Sequence, residues 1–125
     1  MRVLVADDEE ANREVMEDAI ELFGHDVVTV HSGQSAIDEL SKSEFDFVLI
    51  DLNMGDMGGI EVVKKIRAGV CGPRNLERPV VAITGDASDT TRKQALDAGM
   101  NDVLTKPVAF EELESAISHW DAAQG

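Results

Sequence analysis

Acidic side chains follow two of the short apolar runs in this sequence. Asp7 and Asp8 follow the first run, and Asp51 follows a later one. Three carboxylates brought together repel one another, so a cation is expected to balance them. Mg²⁺ prefers a few carboxylates, a carbonyl and retained waters. The candidate magnesium ligands are therefore Asp8, Asp51 and the backbone carbonyl near Asn53, with Asp7 acting through a water.

A threonine and a lysine follow two further apolar runs, and both side chains suit an anion. Lys106 supplies a positive charge, while the Thr84 hydroxyl and the backbone amide of the small Gly85 supply hydrogen-bond donors. A phosphoryl group on one of the carboxylates is an anion that these groups would stabilise. We expect Asp51 to be the nucleophile that carries it, because its strand lies between those of the acidic pair and the threonine.

Five short runs rich in β-branched residues predict five strands, at residues 2–6, 26–30, 46–51, 80–84 and 103–105. Several runs are continuously apolar, which is typical of parallel strands covered on both faces. Helical periods separate the runs. The prediction is therefore an α/β fold, a five-stranded parallel sheet of the (βα)5 type with helices on both faces. A flavodoxin-like strand order of 2-1-3-4-5 makes the four strands with polar ends neighbours.

The predicted helices have recognisable boundaries. Gly24, Gly69 and Gly99 each follow the end of a helix, and Ser32 precedes the start of another. The helical positions are 15–23, 36–40, 60–66, 88–98 and 110–120. The longest irregular stretch, residues 69–79, is predicted to be a surface excursion without chemistry. Residues 1–125 are predicted to form a single domain.

The composition narrows the possible partners and the location. The 125 residues carry 11 basic and 25 acidic side chains, a formal charge of −14. Clustered Lys and Arg hold nucleic-acid backbones, so this acidity argues against direct nucleic-acid binding. No apolar run approaches the ~20 residues of a membrane span, and the lone Cys71 fits a reducing compartment. We therefore expect a cytoplasmic domain without membrane contact.

Each chemical signal has a simpler structural explanation when it is taken alone. Asp7 and Asp8 suit the start of a helix, Asp51 suits an Asx turn, Thr84 is a common strand residue, and Lys106-Pro107 suits a loop. Their joint placement at four strand ends favours the functional interpretation.

At these positions the sequence resembles the receiver domains of two-component response regulators, and the resemblance covers essentially the whole chain. The matched positions are the acidic pair Asp7 and Asp8, the phospho-acceptor Asp51, the switch hydroxyl Thr84 and the Lys-Pro step, usually cis, at Lys106-Pro107. Residues 12–15 and 99–108 look most like receivers attached to hybrid histidine kinases, and such a parent protein would be a histidine kinase. The domain is either a stand-alone receiver or a piece of a longer protein.

Two positions depart from the family pattern. Gly55 replaces a proline in the stretch 51–59 after the acceptor, so a looser loop is expected there. Val103 stands where many receivers have an aromatic side chain that rotates on activation. We therefore expect switching to depend on Thr84 and the loops that follow the fourth and fifth strands.

The resemblance implies a signalling domain and not an enzyme. Asp51 would take a phosphoryl group from a partner phosphohistidine in a Mg²⁺-dependent step, and the acyl phosphate would shift a two-state surface near the fourth and fifth strands. The partner would be a histidine kinase or a helical histidine-phosphotransfer domain. It is expected to dock on exposed positions beside the acceptor, which are Ala11, Asn12, Pro107 and Val108, with Val15 at the margin.

Two alternative functions are open. A phosphohydrolase of the haloacid-dehalogenase type also uses an Asp nucleophile with Mg²⁺, Thr and Lys. Such enzymes place an Asp-x-Asp motif after the first strand, whereas this chain has Asp51-Leu52-Asn53 after the third. A receiver-like interaction module that no longer accepts phosphate is the second alternative. Such modules commonly lose the acid, acceptor, Thr and Lys set that is complete here.

Overall fold

The computed structural model describes residues 1–55, 57–86 and 88–124, so Asp56, Ala87 and Gly125 lie outside the described residues. Five parallel strands form one sheet in the order β2-β1-β3-β4-β5. Their bounds are β1 Arg2–Ala6, β2 Asp26–Val30, β3 Phe47–Asp51, β4 Val80–Thr84 and β5 Asp102–Thr105. The predicted strands and their order are confirmed. Two starts differ by one residue, which is the usual uncertainty of strand ends.

Five helices alternate with the strands along the chain. They are α1 Glu10–Leu22, α2 Gly33–Lys42, α3 Gly59–Arg67, α4 Asp89–Ala98 and α5 Phe110–Gln124. Ser32 caps α2 by accepting a hydrogen bond from the Ser35 amide, and Ser88 caps α4 in the same way through the Thr91 amide. Gly99 ends α4 with a φ of +119°, a left-handed conformation that favours glycine. No helix among the described residues has the length and apolarity to cross a bilayer.

Successive strand residues point to opposite faces of the sheet, and each face has its own apolar core. Val3 and Val5 belong to the cluster formed with α1 and α5. Leu4 and Ala6 belong to the cluster formed with α2, α3 and α4. Because both faces are covered, the strands are apolar at consecutive positions instead of alternating. The polar side chains collect where the buried strands end.

The prediction that residues 69–79 form only a surface excursion is wrong in part. This stretch contains a short 3-10 turn, Pro73–Asn75, and Asn75 is buried. The Asn75 side chain accepts a hydrogen bond from the Phe45 amide at 3.0 Å, and it donates to the carbonyls of Leu40 and Ser43 at 2.6 and 2.8 Å. Cys71 is also buried. The stretch therefore holds the end of α2 and the segment that leads into β3 in place by satisfying buried backbone groups.

Candidate functional site

Four strands end at one edge of the sheet and deliver the predicted residues there. In the parallel register, Ala6 lies beside Ile50, Asp51 beside Ile83, and Thr84 beside Thr105. The residues that follow β1 and β5 therefore meet the last residues of β3 and β4. Carboxylate oxygens of Asp7, Asp8 and Asp51 lie within 4.8 Å of one another. The acidic cluster that the sequence predicted is formed.

Lys106 is the cation at the centre of this cluster. Its Nζ lies 2.6 Å from Asp51 Oδ2, 3.3 Å from Asp7 Oδ2 and 3.8 Å from Glu9 Oε1. Partial burial lowers the pKa of Lys106, but the hydrogen bond and charge of Asp51, together with Asp7, outweigh it and leave the pKa raised. Lys106 is therefore an ammonium ion at neutral pH and partly balances the carboxylates. The Lys106-Pro107 peptide bond is cis.

The acceptor candidate Asp51 is buried, with a different partner for each carboxylate oxygen. Oδ1 accepts a hydrogen bond from the Asn53 amide at 2.9 Å, whereas Oδ2 pairs with Lys106. The hydrogen bond from the Asn53 amide forms an Asx turn, the structural role that Asp51 was expected to have if it had no chemistry. The same carboxylate pairs with Lys106 through its other oxygen. The turn holds the carboxylate in one orientation and places the Asn53 backbone beside it.

The loop after Asp51 folds closely back on the end of β3. A Cβ atom at Gly58 would lie 2.4 Å from the Leu52 carbonyl oxygen, so only glycine fits there. Gly55 has a φ of +45°, which a proline ring locked near −65° does not allow. The conformation of the loop therefore excludes a proline at this position.

Asp7 and Asp8 differ in environment. Asp7 is fully buried; its Oδ1 accepts from the Glu9 amide at 2.9 Å, and its carbonyl accepts from Arg13 Nη1 at 2.7 Å. Asp8 is exposed. The residue that precedes α1 is Glu9, so neither aspartate is the N-cap residue of this helix. Arg13 is a supporting residue that the sequence analysis did not single out, because its bond to the Asp7 carbonyl depends on how the turn packs.

Thr84 and Gly85 lie at the end of β4. Thr84 is fully buried, and its Oγ1 accepts a hydrogen bond from the Asp86 amide at 3.0 Å. Gly85 is exposed, and a Cβ atom there would meet nothing within 4 Å among the described residues. Val103 stands where many receivers have an aromatic side chain. It is half-buried and packs against the core on the face covered by α2, α3 and α4.

Four of the five predicted docking residues line a groove beside Lys106, and two of the five are less exposed than predicted. The groove has a volume of about 450 Å³, and Asn12, Val15, Pro107 and Val108 contribute to its lining. Val15 is 67% exposed, and Ala11 and Pro107 are exposed too. The expectation that Asn12 and Val108 are exposed is wrong, because both are half-buried. Val108 packs against the core that lies under α1 and α5.

Comparison with known proteins agrees with this geometry. The family model described as "Response regulator receiver domain" matches residues 3–118. The sensor protein GacS of Pseudomonas syringae pv. syringae is 34% identical over 119 residues, which are 95% of this chain and 13% of GacS. Across the first curated relatives, which include sensor histidine kinases, the chain spans 12–16% of their length.

Two solved structures are similar over nearly the whole chain. One is the receiver domain of the sensor histidine kinase PA1611 from Pseudomonas aeruginosa, with a magnesium ion in its active-site cleft; it has a TM-score of 0.87, 28% identity and 97% coverage of both chains. The other is the Saccharomyces cerevisiae receiver domain of Ssk1, solved with the histidine phosphotransfer protein Ypd1; it has a TM-score of 0.90, 26% identity, and coverage of 99% of this chain and 90% of that one.

The sheet order, the strand-end residues and these similarities agree with one another. The acids, the lysine and the threonine of the sequence occupy one sheet edge, and the family match covers nearly all of the chain. The resemblance to receivers of hybrid histidine kinases is confirmed by curated relatives that are sensor kinases. The chain belongs to the response regulator receiver domain family, whose members are phospho-accepting signalling domains of two-component systems.

Proposed function

We propose that Asp51 is the phospho-acceptor of this domain. The observation that carries the proposal is the position of its buried carboxylate, which lies 2.6 Å from Lys106 Nζ and within the acidic cluster. An oxygen of Asp51 attacks the phosphorus of a partner phosphohistidine. A new O–P bond forms, the P–N bond breaks, and the imidazole nitrogen keeps the electron pair.

The neighbouring side chains stabilise the transferred group. Lys106 neutralises phosphoryl oxygens, and the Thr84 hydroxyl and the Gly85 amide donate hydrogen bonds to them. The Asx turn at Asn53 keeps the Asp51 carboxylate fixed while it attacks. The domain therefore supplies most of the groups that promote its own modification.

The donor set at this edge fits Mg²⁺. Asp8, Asp51 and the Asn53 carbonyl would hold the ion, with Asp7 acting through a water, and all of these are the hard oxygen donors that Mg²⁺ prefers. When bound, the cation adds positive charge beside the phosphoryl oxygens. A magnesium ion in the cleft of the PA1611 receiver domain supports this proposal.

Phosphorylation by a small donor tests the acceptor assignment. Incubation with acetyl phosphate and Mg²⁺ is expected to add one phosphoryl group to the chain, labile to hydroxylamine as an acyl phosphate is. Intact-mass measurement counts the groups, and peptide mapping places the group on Asp51. A phosphate mapped to a Ser, Thr or His side chain instead would overturn the assignment.

The two alternative functions lack support from the site. The phosphohydrolase needs its nucleophile after the first strand, whereas Asp51 ends β3. The non-phosphorylated module is disfavoured because Asp7, Asp8, Asp51 and Lys106 form one connected cluster. The proposed assignment is one receiver domain over residues 1–125, located in the cytoplasm, where the phosphohistidine donor is expected.

We place the docking surface for the phosphohistidine partner around the groove beside Lys106. The partner must reach Asp51 from outside the sheet edge, so it covers the first turns of α1 and the Pro107-Val108 step. Val15 is the large apolar side chain exposed there, and burying it would favour association. The receiver in complex with Ypd1 supports a histidine-phosphotransfer protein as the partner.

Val15→Arg is expected to slow phosphorylation by a histidine-phosphotransfer partner about tenfold or more, because it replaces the exposed apolar side chain of the groove with a charge. Phosphorylation by acetyl phosphate should keep the wild-type rate. Leu22→Arg is the matched control, since Leu22 is 74% exposed on the same helix, two turns further from the site. Equal loss with both donors would show that Val15 supports the site and not the docking.

A further inference from the structure

The basic residues of this acidic chain are unevenly distributed. Residues 64–78 contain five basic residues and one acidic residue, whereas the whole chain has 11 basic and 25 acidic residues. The segment consists of the last turn of α3 and the connection to β4. It therefore presents positive charge on a molecule that is otherwise strongly negative.

Three cations in this segment have no internal partner. Among the residues that the structure describes, every basic side chain outside the segment forms an ion pair or a hydrogen bond. Inside it, Arg67 is bound to backbone carbonyls and Arg78 to a carboxylate. Lys64, Lys65 and Arg74 make neither kind of contact with the described residues. Lys64 and Arg74 are exposed and Lys65 is half-buried, so their charges are available to an external anion.

The turn that follows α3 holds an apolar side chain at the same end of the helix. The Val70 amide donates to the Lys65 carbonyl at 3.1 Å, and the Gly69 amide donates to the Ile66 carbonyl at 3.1 Å. The Gly72 amide returns to the Gly69 carbonyl at 3.0 Å, which keeps the connection compact. Val70 is nevertheless 56% exposed. A partner that covers it would gain apolar contact next to the cations.

The connection to β4 also contains a groove with a volume of about 530 Å³. Its lining residues are Pro73, Arg74, Leu76, Glu77 and Arg78. The guanidinium of Arg78 is fixed by its ion pair with Glu44, whereas that of Arg74 is free among the described residues. The groove therefore joins two positive groups to the apolar atoms of a proline and a leucine.

Stabilisation of α3 explains only part of this charge. Lysines in the last turn of a helix interact favourably with its macrodipole, which accounts for Lys64 and Lys65. Arg74 lies seven residues beyond the end of α3, and the dipole effect falls off within the last turn. The exposed cation in the connection therefore has no role in holding the helix.

This surface lies away from the acceptor. A Cβ atom at Gly59 would lie 2.8 Å from the Asp51 carbonyl oxygen, so α3 starts directly against the end of β3. The nine residues of α3, at ~1.5 Å each, place its other end about 13 Å further on. A molecule bound there leaves the edge of the sheet at Asp51 open to a phosphohistidine donor.

We propose that Lys64, Lys65, Val70 and Arg74, which we call the α3 basic patch, form a docking surface for an acidic peptide segment of a partner protein. Carboxylates of the segment pair with the three cations, and an apolar side chain covers Val70. A short peptide keeps its charge within the patch. The phosphates of a nucleic acid would continue past it onto the acidic surface, where they are repelled.

Binding of a fluorescently labelled peptide to the full chain tests the proposal. The peptide has about ten residues, mostly glutamate with a central leucine, and fluorescence anisotropy gives its affinity. The affinity should fall about fivefold or more between about 0.1 and 0.5 M salt, because salt screens exposed charges. Amide chemical-shift changes should cluster at residues 64–78. The same peptide with glutamine in place of glutamate should not bind measurably.

Variants of the cations make the test specific. Lys64→Gln, Lys65→Gln and Arg74→Gln together should weaken peptide binding about tenfold or more, and each alone about threefold, since exposed ion pairs are individually weak. Lys93→Gln is the matched control, because Lys93 is an exposed cation already paired with Asp97. Its affinity should stay within about twofold of the wild type. Every variant should be phosphorylated by acetyl phosphate at the wild-type rate.

Four results would overturn the proposal. The first is wild-type affinity in the triple variant, and the second is equal weakening by Lys93→Gln. The third is tighter binding of a single-stranded oligonucleotide than of the peptide, which would assign the α3 basic patch to nucleic acid. The fourth is concentration-dependent self-association that the triple variant abolishes, which would assign it to a second copy of this chain. None of these results depends on phosphorylation of Asp51.

Discussion

Asp51→Asn is expected to abolish phosphorylation of this domain by acetyl phosphate and by a histidine-phosphotransfer partner alike. The amide is nearly the same size as the carboxylate, but it lacks the negative oxygen that attacks phosphorus. Loss of a nucleophile typically costs at least ~10³-fold in rate. The amide oxygen can still accept from the Asn53 amide, so the turn at the end of β3 should persist. Intact-mass measurement over time gives the rate for each donor.

The Asp51→Asn substitution also removes the hydrogen-bond acceptor of Lys106. If the amide oxygen keeps the turn, the amide nitrogen faces Lys106 Nζ, and two donors meet without an acceptor. Lys106 then relies on Asp7 and Glu9 for its counter-charge. Asp121→Asn, an exposed position on α5, is the control and should be phosphorylated at the wild-type rate. Incorporation by Asp51→Asn above a tenth of the wild-type rate would contradict the acceptor role.

The fold was predictable from the sequence because its signals are local. Each strand is a short β-branched run, and four of the five lead into a polar residue, as at Ile50-Asp51. The helix ends are marked by Ser32, Ser88 and Gly99. Parallel strands with covered faces follow from the continuous apolar runs. The meeting of the acidic residues, Thr84 and Lys106 then follows from geometry, since parallel strands end at the same edge.

Other features depend on tertiary contacts that no local pattern encodes. Asn75 is a loop residue in the sequence, and its burial follows only from the carbonyls of α2 and the amide of Phe45 that surround it. Arg67 is one of three basic residues near the end of α3, and nothing in the sequence indicates that its guanidinium reaches Gly99. The half-burial of Val108 depends likewise on α1 and α5 packing around it.

Asp8→Ala is expected to weaken Mg²⁺ binding about 100-fold, measured by isothermal titration calorimetry at constant ionic strength. Asp8 is the exposed member of the acidic cluster, so its carboxylate is free to bind an ion directly. Asp7 is buried, with Oδ1 in a turn and Oδ2 near Lys106. Asp7→Ala should therefore weaken binding less, by about tenfold, as loss of a group that acts through water does.

Lys106→Met provides a control that should move the affinity in the opposite direction. Lys106 Nζ lies 2.6 Å from Asp51 Oδ2, where its positive charge repels a second cation. Removing this charge leaves the carboxylates without their counter-charge, so Mg²⁺ should bind more tightly. The same variant should accept phosphate more slowly, because the transferred group loses its positive partner. Wild-type affinity in Asp8→Ala would refute the assignment of Asp8 as a ligand. Weaker binding in Lys106→Met would show that the lysine organises the carboxylates instead of competing for them.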